Sequence, residues 1–296
     1  MTPKLITRRD FLKVASVTPL AGALRPDRDG APQDPAGKVR VVLVRDEKAL
    51  DPGGVPVPEV IQRMLDDAVC SLFGRKDPVA AWKEVIKPDD IVGIKTNSWR
   101  SLPTTTQVEE AIRRRVLDAG VPAEKVAVDD RGVLRNPVFQ QATALINARP
   151  ARTHHWSGVG SCIKNYIMFV PKPSEYHGDT CADLATIWNL PHVKGRTRLN
   201  VLVMLTPLFH GIGPSHFSRE YTWPYGGLVV SRDPVAADAT GVRILEAKRR
   251  EYFGEERPIQ PSPHHVFLAD TRHHLGVSDP GRIDLVKLGW NEGLLI

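Results

Sequence analysis

Two rhythms of apolar residues run along this chain, and each predicts a different element. Short runs rich in β-branched residues read as buried strands: KVRVVLVRD (38–46), DIVGIKTN (90–97), KVAVDD (125–130), LNVLVMLTP (199–207) and YGGLVVSRD (225–233). Helical spacing fills the gaps. In VPEVIQRMLDDAVCSLFG (57–74), Val60, Ile61, Met64, Leu65, Ala68 and Leu72 share one face, Cys70 points away from it, and Gly74 is a stop. DPVAAWKEVI (77–86) begins with Asp77 as N-cap and Pro78 in the first turn. VEEAIRRRVLDAG (108–120) stops at Gly120, and DPVAADATGVRILEAKRREYF (233–253) is capped by Asp233 and begun by Pro234. Strands alternating with helices predict an α/β fold. The expected architecture is one domain over 38–296, a mostly parallel sheet covered by helices on both faces.

One stretch breaks the pattern. In GVGSCIKNYI (158–167), Lys164 and Asn165 interrupt an apolar run that ends YIMFV. Burying a lysine there costs several kcal/mol unless its ammonium finds anionic or carbonyl partners, which marks Lys164 as a ligand-binding residue or half of an ion pair. The glycines before Cys162 would let backbone N–H groups approach the same anion, as in a nest.

Composition is that of an ordinary globular protein, with 42% hydrophobic and 25% charged residues. Half of the formal charge of +6 sits in the first 23 residues, where Lys4, Arg8, Arg9 and Lys13 face only Asp10. No basic stripe interleaved with aromatic residues remains, so nucleic acid is not an expected partner. TRRDFLK (7–13) precedes a short apolar stretch (14–24) and resembles a twin-arginine export signal, with small residues at 21–23 for cleavage. Residues 1–24 are therefore expected to be a signal peptide and 25–37 a flexible linker. The implied location is periplasmic or otherwise exported, with the export machinery as a partner and membrane contact only during export. Cys70, Cys162 and Cys181 show no spacing for an iron–sulfur cluster.

Chemistry collects at strand ends, where open α/β sheets bind ligands. Lys95 and Asn97 end one strand, Asp129 and Asp130 another, and HGIGPSH (210–216) follows a third. Lys95, Asn97, Lys164, Asn165, Asp129, Gly211 and Gly213 are the expected ligand-binding residues, with the two lysines facing an anion. The alternative pairs each lysine with an aspartate such as Asp129 or Asp238. His177, His210 and Cys162 are the expected catalytic groups, and His177, His210 and His216 the expected ligands if a transition metal is bound.

The blocks KPDDIVGIKTN (87–97), DAG (118–120), GVGSCIKN (158–165), His177, HGIGP (210–214) and GGLVVSRDPVAADATGVRIL (226–245) resemble domain-of-unknown-function family 362. The resemblance implies the fold and carries no assigned reaction. Members of that family often include a ferredoxin-like cluster domain, which this chain lacks in its cysteine spacing, and they often show Glu-Gly where His210-Gly211 stands here. The leading expectation is an exported cofactor- or metal-dependent redox enzyme with a Lys/Asn/His site at the carboxyl edge of the sheet, working with a redox partner or as an oligomer. The alternatives are a periplasmic binding protein for a small anion or metallo-ligand, and a subunit of an exported complex.

Overall fold

In a computed structural model, the described residues are 37–211 and 216–296. The expected signal peptide, nearly all of the expected linker, and Gly213 lie outside them. Among the described residues an eight-stranded sheet runs β3-β2-β4-β6-β7-β1-β8, with β5 paired to β4. The strands are β1 (Val39–Arg45), β2 (Val92–Lys95), β3 (Val126–Asp129), β4 (Ala144–His154), β5 (Gly158–Gly160), β6 (Thr197–Leu208), β7 (Gly227–Ser231) and β8 (Ile283–Gly289). Pairing is parallel except at β7, which runs against both β6 and β1, and at β5. The reversal at β7 has a plain cause. A parallel return needs a crossover helix, and among the described residues the chain between β6 and β7 forms only a short turn of 3-10 helix, Arg219–Tyr221.

Period-two alternation gives the sheet two apolar faces. Val42 and Val44 of β1 and Val201 and Val203 of β6 pack under α1 (Pro58–Phe73), α2 (Pro78–Val85) and α3 (Thr106–Asp118). Val41 and Leu43, with Leu202 and Met204, face the other way. That second layer holds α5 (Cys162–Asn165), α6 (Pro234–Phe253) and α7 (His264–Thr271); α4 (Pro137–Gln141) sits at the β3 end. The α/β fold with helices on both faces is the one the sequence predicts.

Helix ends follow local chemistry. Asp77 accepts from the Ala80 N–H, Asp233 accepts from those of Val235 and Ala236, and Gly74 closes α1 in the left-handed region at φ 63°. Three strands escape the pattern reading: ALINARPARTH (β4), which carries Pro150 and two arginines, the short β5, and β8. All three belong to the sheet, and β4 proves to be the strand that matters most.

Candidate functional site

Strand register lines up a polar row across the sheet. Asp129 pairs with Lys95, Lys95 with Asn147, Asn147 with Asn200, and Asn200 with Ser231. Lys95, Asn147, Asn200 and Ser231 are all fully buried. Such groups must find partners inside the protein, and these do. Lys95 Nζ donates to the Thr96 carbonyl at 2.7 Å, to Asp130 Oδ1 at 2.5 Å and to Asn165 Oδ1 at 3.2 Å. Asn165 Nδ2 donates to Asn147 Oδ1 at 2.8 Å, and Asn147 Nδ2 donates to Asn200 Oδ1 and to the Cys162 carbonyl, both at 3.0 Å. Asn200 passes the chain on to the Arg232 carbonyl at 3.1 Å. The row therefore sews α5 onto the sheet.

Asp238, in the second turn of α6, fastens the other end of α5. Its two carboxylate oxygens accept from the N–H groups of Cys162 and Ile163, each at 2.8 Å. The nest expected for an external anion is thus filled by the protein's own carboxylate. Burial raises Asp238 to about 6, against the lowering effect of those hydrogen bonds.

Several predicted site residues serve this architecture. Lys95 forms an ion pair with Asp130, rather than facing Lys164 across a ligand. Asp129 accepts from the Gly132 N–H and from Asn136, closing a turn. Asn97 accepts from the Trp99 N–H at 3.4 Å in a half-buried loop. The Cys162 thiol is pushed well up by burial and by Asp238, the opposite of what a thiolate nucleophile needs. All three cysteines are free.

Beyond the last residue of β2, β4 continues as an arm from Ala148 to His154. It carries Arg149 and Arg152 into the interior, each only 4% exposed. The two guanidinium groups converge beside Gly160 of β5: a methyl at that glycine would lie 3.5 Å from the Cζ of both. Gly158, two residues earlier, has φ +72° and no room for a side chain, since a Cβ would stand 2.3 Å from the Pro261 carbonyl oxygen. This explains the glycines of GVGSCIKN.

Arg149 Nε and Arg152 Nε and Nη1 are buried without a hydrogen-bond partner, and neither arginine has a carboxylate within salt-bridge distance among the described residues. Arg152 lies over the ring of Trp99 at 4.0 Å. Lys164, 3% exposed, has one polar contact, the Cys181 sulfur at 3.5 Å. Burial lowers Lys164 to about 8, with Arg149 and Arg152 adding to the effect and Cys181 opposing it. Burial and the charge of Lys164 also hold His154 well below its ordinary value, and His265 down at about 3. Neither ring nitrogen of His265 has a hydrogen-bond partner.

His177 stacks on the half-exposed ring of Trp156, centroids 3.9 Å apart, and burial with Lys164 brings it down to about 4. His210 sits among different neighbours: Arg249 at 3.0 Å, Tyr221 and Phe253. His216 is exposed, its carbonyl against Gly211. Among the described residues no group of three or more His, Cys, Asp or Glu side chains could hold a metal ion, so His177, His210 and His216 form no such set. A cavity of about 600 Å³ lies between α1 and α3 on the outer layer and touches none of these groups.

The arrangement defines an α/β protein with a buried cationic cluster on the part of β4 that runs beyond the end of β2. Residues 118–243 match the family model described as Domain of unknown function (DUF362), which supports the family membership that the motif blocks implied. The match includes Arg149, Arg152, Lys164 and Asp238 and ends short of Lys95 on the N-terminal side. No curated protein and no solved structure matches the chain.

Sequence reasoning missed Arg149, Arg152 and their strand. A usable signal was present in ALINAR, where Leu145, Asn147 and Arg149 alternate with Ala144, Ile146 and Ala148.

Proposed function

We propose that this domain binds a small anion of the carboxylate or phosphate class between Arg149 and Arg152, with Lys164 beside them. The observation that carries the reading is the convergence of two buried guanidinium groups in which Arg149 Nε and Arg152 Nε and Nη1 have no hydrogen-bond partner. An unsatisfied buried donor costs about 1–3 kcal/mol, and more when charged. A planar or tetrahedral oxyanion removes that cost with charge-assisted hydrogen bonds. Charge points the same way. Lys95, Arg149, Arg152 and Lys164 are answered nearby by Asp129, Asp130 and Asp238, which still leaves an excess of positive charge.

Of the expectations drawn from the sequence, the anion-binding one has this geometry behind it. The metal-assisted one has no three-donor group among the described residues. Export by the twin-arginine route belongs to the same proposal and is supported by Arg8 and Arg9 ahead of the apolar stretch. Among the described residues no helix is long and apolar enough to cross a membrane.

Isothermal titration of the full chain with oxalate and with inorganic phosphate tests the reading. Saturable binding by at least one of them is expected, weakened on the order of 100-fold or more in Arg149→Met/Arg152→Met, the equivalent of two lost charge-assisted contacts. Absence of binding to either anion, or binding that the double variant leaves intact, overturns it.

A further inference from the structure

The two buried lysines differ in one respect that decides their chemistry. All three N–H bonds of Lys95 are spent, on Thr96, Asp130 and Asn165. Lys164 spends one, on a thiol sulfur, and has no carboxylate within salt-bridge distance among the described residues. A lysine becomes a nucleophile when it is dry, stands next to other cations and is free of a counter-ion, because each condition favours the neutral amine. Lys164 meets all three: it is 3% exposed, and Arg149 and Arg152 both act on it.

From this geometry we propose that Lys164 is a Schiff-base lysine whose amine condenses with the carbonyl of a 2-oxo carboxylate held through its carboxylate by Arg149 and Arg152. The proposal rests on the anion-binding reading and adds to it the ligand class and a covalent step. The Nζ lone pair attacks the carbonyl carbon, and the carbonyl π electrons move to its oxygen, which takes up a proton. The resulting carbinolamine loses that oxygen as water, the nitrogen sheds its proton, and the C=N bond forms. One water leaves for each imine, and neither an oxidant nor a reductant is consumed.

The neighbours suit each stage. His177, half-buried and stacked on Trp156, is held neutral by burial and by the charge of Lys164, so it adds no competing cation to the site. The protonated imine restores the positive charge that Lys164 gives up on reacting, so the carboxylate keeps its counter-charge throughout. The carboxylate requirement comes from the arginines. An uncharged aldehyde or ketone leaves their donors as unpaired as before, and so gains no positioning.

The test is reductive trapping. Purified full-length chain is incubated with glyoxylate or pyruvate and cyanoborohydride, digested, and mapped by mass spectrometry. The expected adduct sits on Lys164, forms faster as pH rises through about 8, and forms about 10-fold or more faster from glyoxylate than from acetaldehyde at equal concentration. Lys164→Met should lose it. Arg152→Met, which keeps the lysine, should lose the preference for glyoxylate, so the proposal stays open to failure if the first variant folds poorly. Anion binding by titration without an adduct on Lys164 overturns the imine and leaves the anion site standing. Adducts spread over surface lysines, with no preference for Lys164, overturn it equally. Failure of both titration and trapping removes both proposals.

Discussion

Two clusters of buried charge meet β4 a few residues apart, one at Asn147 and one at Arg149 and Arg152, and they are opposites. The row through Lys95, Asn147 and Asn200 closes on itself: each side chain has partners, and the cation has its carboxylate in Asp130. The arm of Arg149 and Arg152 holds cations with unpaired donors, Arg149 Nε and Arg152 Nε and Nη1, and Lys164 has only the Cys181 sulfur and no carboxylate partner among the described residues. Burial alone does not separate them, since both are shielded from water. Satisfaction does. A completed network fixes the position of a helix, and the incomplete one is what the proposed anion would complete.

The largest effect should come from opening the closed row. Asp130→Asn leaves Lys95 buried without its counter-ion and should destabilise the chain by roughly 3–5 kcal/mol in urea melts. A loss under about 1 kcal/mol would place the row's ion pair among weak surface-type contacts and erase the contrast.

A smaller loss is expected at the row's hinge point. Asn147→Leu strands Asn200, Asn165 and the Cys162 carbonyl at once, and should cost on the order of 2–4 kcal/mol while loosening α5. Hydrogen exchange at the Cys162 and Ile163 amides, both held by Asp238, would report the loosening separately from global unfolding. Unchanged protection there would mean that Asp238 alone seats the helix.

Acid reaches the open cluster next. His265 is held at about 3, below its ordinary 6.5, so under pH 6.5 the unfolded chain takes up a proton that the folded chain refuses. Stability should therefore fall as pH drops from 6.5 towards 3, by up to about 1.4 kcal/mol per pH unit for each such histidine. His154 acts in the same direction. Asp238 acts against them: raised from 3.8 to about 6, it binds its proton more tightly in the folded chain, and so adds stability as pH falls through that window. With His154, His177 and His265 all lowered and opposing Asp238, melting temperature should decrease on acidification, and His265→Leu should flatten the slope. An unchanged slope in that variant would exclude His265 as a source.

The difference between the clusters also explains what could be read in the sequence. Strand ends were legible because β-branched runs stop at polar residues, and so Lys95 was placed at the rim. Its partner was not: Asp129 stands in register with Lys95, yet the ammonium reaches Asp130, and only the turn after β3 settles which of two adjacent aspartates faces inward. Lys164 was legible as an anomaly in an apolar run. Arg149 and Arg152 were not, because a strand interior with two arginines and Pro150 has the composition of a loop. The register shift between Pro150 and Arg152 is where the proline is tolerated. Histidines misled for a related reason: ten of them suggested a metal, but spacing says nothing of whether His177 and His210 share neighbours, and they do not.

The most direct test of the contrast is the change with the smallest expected effect. Lys164→Met in the ligand-free chain removes a buried cation that has no carboxylate partner among the described residues, so urea melts should show stability unchanged within about 1 kcal/mol, or raised. The same variant should lose the oxalate- or phosphate-induced rise in melting temperature expected of the parent. A loss of roughly 3–5 kcal/mol without ligand, with the anion-induced rise retained, would show that Lys164 is half of a structural ion pair and contradict the account.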